Sequence, residues 1–162
     1  MERSAALRVC HAGALKAVLG DEIVPALKDA SGCEIELHGG QSVRLANELR
    51  RGTLVANLFL SANAQVNTLL AGPENGDLVD STVLLAATDL VIVYSPRSRF
   101  SDVPHMAARG ALPWYEALLA AVLRYTQNPG LADVFVRELL SETGRAALAR
   151  HGFSPIPSAV TA

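Results

Sequence analysis

Two segments of the chain share one pattern, in which a short apolar run ends at a glycine and leads directly into a stretch with helical periodicity. The segments are Leu7–Leu15 (LRVCHAGAL) and Glu34–Ser42 (EIELHGGQS). Each predicts a buried strand, a glycine turn and a helix, which is the repeating unit of an α/β fold. The first N–H groups of a helix have no intrahelical partner and carry the positive end of its dipole. The pattern therefore also predicts a binding site for an anion.

Hydrophobic periodicity extends this alternation along the chain. The predicted strands are Leu7–His11, Glu34–Leu37, Leu54–Ser61, Val83–Ala87 and Leu90–Tyr94, with a break at Thr88-Asp89 between the last two. The predicted helices are Gly13–Ala30, Ser42–Arg51, Ala64–Ala71, Trp114–Tyr125, Leu131–Leu140 and Glu142–Arg150. Phe153–Ile156 is predicted as an edge strand. We expect a mainly parallel sheet with the first strand in its interior and helices on both faces.

The 162 residues are enough for one domain with a hydrophobic core. We predict a single α/β lobe built from a strand–helix core over residues 7–94, an irregular linker over 95–113 and C-terminal helices over 114–156. The C-terminal helices are expected to pack back on the same sheet, because their apolar stripes need a surface and no second core is available.

Composition and motifs exclude several classes of function. The formal net charge is −2 and the basic residues are scattered, which argues against a nucleic-acid partner. The chain has no Gly-x-Ser-x-Gly motif and no paired carboxylates that frame an acid–base site, so we predict that it is not an enzyme. His11 and His38 end neighbouring predicted strands, which suggests a two-histidine metal site. No third ligand is evident, however, and we predict neither a metal nor a cofactor.

Eight short segments carry a family resemblance through their order over residues 7–155. They are His11–Leu15, Gly40–Ser42, Asn57–Asn63, Thr88–Ile92, Ser95–Phe100, Pro113–Glu116, Phe135–Arg145 and His151–Pro155. In this order they resemble the molybdate- and tungstate-binding proteins of ABC transporters, a family of class II periplasmic solute-binding proteins.

The resemblance implies a periplasmic or extracellular binding protein that works with an ABC permease. The chain shows no signal peptide, which leaves a cytoplasmic location open. The implied ligand is molybdate or tungstate, and sulfate or phosphate has the same tetrahedral shape. The candidate ligand-binding residues are Gly13, Ala14, Gly40, Gln41, Ser42 and Ser61. For Gly13 and Ser42 the alternative is a structural role, as a turn residue and as a helix cap.

The sequence also departs from the family pattern. Alanine stands at Ala14 where the family has serine, and Asn57 and Asn63 replace aspartates, where we favour turn or cap chemistry. Family members fold as two lobes, and most of the second lobe is missing here between Leu119 and Leu123. We therefore expect a single-lobe relative that binds its anion weakly.

An interaction module that has lost ligand binding is the alternative function. Without a second lobe, the hinge segment is expected to expose apolar side chains that invite partners. We expect exposure of some combination of Val91, Val93, Trp114, Tyr115 and Leu118. On this basis we predict a homodimer or larger homo-oligomer.

Overall fold

The computed structural model describes residues 6–89 and 115–156, which form a six-stranded sheet in the order β2-β1-β3-β5-β4-β6. The strands are β1 (Leu7–Ala12), β2 (Ile35–Gly40), β3 (Leu58–Ser61), β4 (Val83–Asp89), β5 (Tyr115–Val122) and β6 (Ser154–Pro155). β1 pairs in parallel with both β2 and β3, whereas β5 is antiparallel to β3 and β4, and β6 is antiparallel to β4. Strands β1 to β4 therefore point in one direction, which confirms a mainly parallel sheet with β1 in its interior.

The helices lie on both faces of this sheet. They are α1 (Lys16–Val18), α2 (Val24–Ser31), α3 (Ser42–Arg50), α4 (Ala64–Asn67), α5 (Pro129–Leu140) and α6 (Glu142–Arg150). A 3₁₀ turn over Gly13–Leu15 precedes α1, and a π-helical turn over Leu19–Ile23 joins α1 to α2. The sequence predicts one helix over this region, and the structure divides it into turns of different pitch.

Two hydrophobic cores form, one on each face of the sheet. The larger core joins α1, α2, α5 and α6 to the sheet, and Leu19, Phe135 and Leu148 are among its fully buried members. The smaller core joins α3 and α4 to the opposite face around Phe59 and Leu45. The C-terminal helices α5 and α6 thus share a core with β1, whose Leu7 and Val9 are both fully buried.

The prediction of a helix over Trp114–Tyr125 is wrong, because Tyr115–Val122 is strand β5. Leucine and alanine favour helices intrinsically, but β5 lies between β3 and β4 and is covered on both faces. Leu118 and Ala120 join the larger core, and Ala121 joins the smaller one. A strand buried on both faces reads as a continuous apolar run, which periodicity alone does not separate from a buried helix.

Leu118 is not among the apolar residues exposed, for the same reason, since only 1% of its surface is accessible. The predicted strand break at Thr88-Asp89 is also wrong, because β4 runs through both residues. The third strand is shorter than predicted and covers only Leu58–Ser61. The strand predicted over Leu90–Tyr94 and the linker predicted over 95–113 lie outside the described residues. A short edge strand near the C-terminus is confirmed by β6.

Gly144 provides a direct test of the packing between α5 and α6. A Cβ atom at Gly144 would collide with the carbonyl oxygen of Glu138 and lie 2.9 Å from the carbonyl carbon of Leu139. We predict that Gly144→Ala lowers the free energy of unfolding by about 1–3 kcal/mol, as is typical of overpacking. The measurement is the midpoint of urea unfolding.

Gly130 is the matched control, because it lies in the first turn of α5 and a Cβ atom added there would meet nothing within 4 Å. Gly130→Ala is expected to stabilise the protein by about 0.5–1 kcal/mol, since alanine costs less backbone entropy in a helix. Equal unfolding midpoints for the two variants would contradict the described α5–α6 packing.

Candidate functional site

The carboxyl ends of β2, β1 and β3 meet at one edge of the sheet. Ala12 of β1 lies opposite Gly40 of β2, and His11 lies opposite both Gly39 and Leu60. The turns that follow these strands enclose an open pocket of about 620 Å³, which we call the edge pocket. Its lining residues are Ala12, Gly13, Ala14, Gly40, Gln41, Ser42, Val43, Ala62, Asn63 and Val66. Five of the six predicted ligand-binding residues are therefore brought together, and Ser61 is not among them.

Two helical starts face this pocket without side-chain caps. Ala12 precedes the 3₁₀ turn of Gly13–Leu15, and Gln41 precedes α3; neither accepts a capping hydrogen bond through its side chain. The first N–H groups of a helix lack intrahelical acceptors, so both starts offer donors toward the pocket. Ser42 is the first residue of α3, and its interpretation as the N-cap is wrong.

The two serine candidates differ in their surroundings. The Ser42 hydroxyl accepts a hydrogen bond of 3.4 Å from the Ala62 N–H, which joins the start of α3 to the turn after β3. This bond uses a lone pair, so the Ser42 hydroxyl hydrogen can still be donated to a ligand. Ser61 is completely buried, and its hydroxyl donates to the Asn63 carbonyl at 3.2 Å. Ser61 thus supports the turn below the pocket.

The two asparagines in place of family aspartates have structural partners. The Asn63 side chain caps α4 by accepting from the Gln65 N–H at 2.8 Å. The Asn57 side chain accepts from the Arg8 N–H and donates to the Thr126 hydroxyl, both at 2.8 Å. Asn63 thus provides the expected cap, whereas the turn or cap role expected for Asn57 is wrong, because its side chain joins β1 to the segment after β5.

Arg44 is a neighbour of the pocket that sequence reasoning missed. Its guanidinium lies directly over Gly40, in the space that a Cβ atom at that position would occupy, and also pairs with Glu48 at 2.7 Å. In the sequence, the only indication that Arg44 lies near the pocket is its place two residues after Ser42, in the first turn of α3. No acidic side chain is among the described residues that line the edge pocket. An anion in the edge pocket would therefore meet no acidic side chain of this lining.

His11 is buried beside the same edge, with 2% of its surface accessible. Its ring lies over Gly39, where an added Cβ would be 2.8 Å from Cε1. Its Nδ1–H donates to the Ala12 carbonyl at 2.8 Å. Burial lowers the pKa of His11 below its ordinary value of 6.5; this hydrogen bond opposes the shift, and the charges of His38 and Lys16 add to it. The ring is therefore neutral at pH 7, with Nε2 as an acceptor.

The suggested pairing of His11 with His38 at a metal is not supported by the register. His38 lies opposite Cys10, one position before the His11–Gly39 pair, so the two histidines point to opposite faces of the sheet. Within residues 6–89 and 115–156, no three His, Cys, Asp or Glu side chains cluster in a way that could hold a metal ion.

A comparison with protein-family models matches residues 7–111 to the family described as bacterial extracellular solute-binding protein. This match covers more than half of the chain. The chain belongs to the bacterial extracellular solute-binding protein family. No curated protein sequence matches it significantly.

Solved structures place this solute-binding protein among periplasmic-binding-protein-like folds. It is similar to iron-bound HitA from Pseudomonas aeruginosa, with a TM-score of 0.69, 15% identity and coverage of 96% of this chain and 87% of the other. The sulfate-binding protein SubI from Mycobacterium tuberculosis H37Rv aligns with a TM-score of 0.68 and 12% identity, over 96% of this chain and 88% of the other. The substrate-binding domain of a putative molybdenum ABC transporter from Clostridium difficile aligns with a TM-score of 0.67 and 13% identity, over 94% of this chain and 99% of the other.

These likenesses establish the fold of the solute-binding protein. The three structures are described with iron, sulfate and molybdenum respectively. In the described part of the chain, no helix is both long and apolar enough to cross a membrane.

The buried His11 makes the stability of this solute-binding protein depend on pH. Because its folded-state pKa lies below 6.5, the unfolded state takes up a proton first as the pH falls. The stabilising contribution is complete above about pH 6.5 and is lost as the pH falls through the folded-state pKa. We expect His11→Gln to flatten the decrease of the urea midpoint between about pH 6.5 and 5.

The exposed His38 supplies the control on the neighbouring strand. A His38→Gln variant retains the burial of His11 and removes only the charge contribution of His38 to the His11 pKa, so it is expected to change the pH dependence less than His11→Gln does. An identical slope in the wild type and in His11→Gln would contradict a buried, neutral His11.

Proposed function

We propose that this solute-binding protein binds a tetrahedral oxyanion of the molybdate and tungstate class in the edge pocket. The observation that carries the proposal is the meeting of two uncapped helical starts at one sheet edge, aligned by the pairing of Ala12 with Gly40. A helix start favours an anion through both its free N–H groups and its dipole, and two such starts reinforce each other.

Each proposed contact has a distinct chemical role. Gly13, Ala14 and Ser42 donate backbone N–H groups, and Ser42 adds its hydroxyl. Gly40 and Gln41 shape the approach, with the glycine leaving room for the Arg44 guanidinium above the turn. Ser61 contributes through the turn that it holds and not by contact, because it is completely buried. Sulfate and phosphate present the same four oxygens and are expected to compete.

We expect weak binding for two physical reasons. Ala14 lacks the hydroxyl donor that the molybdate- and tungstate-binding proteins it resembles have at this position. One hydrogen bond to a charged group is worth about 1.5–3 kcal/mol. We also propose that the chain presents a single lobe, which leaves one side of the anion in water. Closure of a second lobe would remove that water and strengthen every remaining hydrogen bond.

The proposed setting is uptake by an ABC transporter, with the protein outside the cytoplasm and an ABC permease as its partner. Binding without catalysis agrees with a family of solute-binding proteins. Homo-oligomerisation stays a prediction. Of the five apolar residues expected to drive it, Leu118 is buried, and nothing is described of the other four side chains.

Ala14→Ser tests the proposed site by adding the missing donor. Ala14 is exposed and lines the edge pocket, so the serine hydroxyl has access to a bound anion. We expect molybdate and tungstate to bind about tenfold more tightly, since a factor of ten corresponds to about 1.4 kcal/mol. Isothermal titration calorimetry measures both affinities.

Ala26→Ser is the matched control, because Ala26 is exposed on α2 and does not line the edge pocket. It is expected to leave both affinities unchanged. If Ala14→Ser binds molybdate no better than Ala26→Ser, the edge pocket is not where the anion is held.

A further inference from the structure

A second, larger cleft borders the edge pocket. It has a volume of about 810 Å³ and lies between the helical segment 13–31 and the end of β2. We call it the helix-side cleft and define it by His11, Lys16, Ala17, Gly20, Asp21 and Leu37. Gly13, Ala14 and Gly40 line both spaces. The two spaces therefore adjoin at these three residues.

The size of this cleft exceeds what a bare oxyanion needs. Four oxygen atoms occupy about 120 Å³ if each takes the share of one liquid water molecule, about 30 Å³. The helix-side cleft alone is several times larger and lies within the range of small-molecule pockets, roughly 300–1,000 Å³. The volume leaves room for an organic substituent on the anion.

Two hydrogen-bond acceptors face the helix-side cleft. His11 is almost completely buried, and because its Nδ1–H is held by the Ala12 carbonyl, Nε2 presents a lone pair that has no partner among the described residues. The Asp21 carboxylate stands on the π-helical turn and forms no ion pair within the described ranges. Hydroxyl groups are the neutral donors that suit both acceptors.

The π-helical turn positions Asp21 at the cleft. Such turns are rare and occur frequently at functional sites. Here the adjacent Glu22 is held from the other side by Arg150 and by His151, whose Nε2 lies 2.8 Å from the Glu22 carboxylate. Lys16, on α1, also lines the helix-side cleft and adds a positive charge near the residues that the two spaces share.

We propose that the edge pocket and the helix-side cleft together bind a phosphate monoester of a small polyol in preference to inorganic phosphate, a conclusion that rests on the proposed oxyanion site. The phosphate group occupies the edge pocket at Gly13, Ala14 and Ser42. The polyol occupies the helix-side cleft, where its hydroxyl groups donate to His11 Nε2 and to the Asp21 carboxylate. The carbon chain lies against the apolar lining of that cleft.

Calorimetric titration of the full chain with glycerol 3-phosphate, inorganic phosphate and glycerol tests this inference. We expect glycerol 3-phosphate to bind about tenfold more tightly than inorganic phosphate, and glycerol alone not to bind. Equal affinities for the ester and the bare ion would overturn the inference and leave the oxyanion site standing. No binding of either anion, with molybdate and tungstate also failing, would overturn both.

Asp21→Ala separates a hydroxyl contact from a general effect of charge. Removal of a carboxylate lowers the repulsion of any anion, so inorganic phosphate is expected to bind equally well or more tightly. Only a lost hydroxyl contact lowers the affinity for glycerol 3-phosphate, which we expect to fall several-fold. Asp29→Ala makes the same charge change at an exposed position of α2 outside both spaces and is expected to preserve the ratio of the two affinities. An unchanged ratio in Asp21→Ala would overturn the inference.

Discussion

The parallel pairing of β1 with β2 is the interaction on which the candidate site depends. It places Ala12 opposite Gly40, so that the two strands end at the same level and their following helices start side by side. β1 is held in this position by β3 on its other edge and by cores on both faces, with Val9 in the larger core and Cys10 in the smaller one. A shift of one residue in this register would exchange the faces of every β2 side chain. The two helical starts would then no longer face the same pocket.

The two glycines at the end of β2, Gly39 and Gly40, matter to the site because they have no side chain. The His11 ring passes over Gly39 and the Arg44 guanidinium passes over Gly40, and a Cβ atom at either position would collide with the side chain above it. Gly39 thus makes room for the neutral imidazole that lines the helix-side cleft, and Gly40 makes room for the Arg44 guanidinium, which pairs with Glu48. The Gly-Gly pair therefore contributes to both spaces, although neither residue has a side chain.

The sequence can predict the local parts of this arrangement, and it cannot predict the parts that arise from packing. Strand, glycine and helix follow each other at β1 and β2 because turn chemistry and periodicity act over a few residues. The leucines and alanines of β5 lack a strand-like alternation and so predict a helix, and only its place between β3 and β4 makes it a strand. The opposite faces of His11 and His38, the burial of Ser61 and the position of Arg44 all depend on register and on contacts between elements.

The most direct test of the central claim compares Gly13→Pro with Gly13→Ala in a molybdate titration. Proline removes one N–H donor from the first helical start, where its fixed φ is compatible with a helix and the extended Ala12 (φ −58°, ψ 143°) suits a residue before proline. Alanine keeps the N–H, and its Cβ would meet only the Gly40 carbonyl oxygen at 4.0 Å. We predict that Gly13→Pro weakens molybdate binding at least about tenfold relative to Gly13→Ala. Equal affinities in the two variants would contradict capture of the anion by the backbone of this helical start.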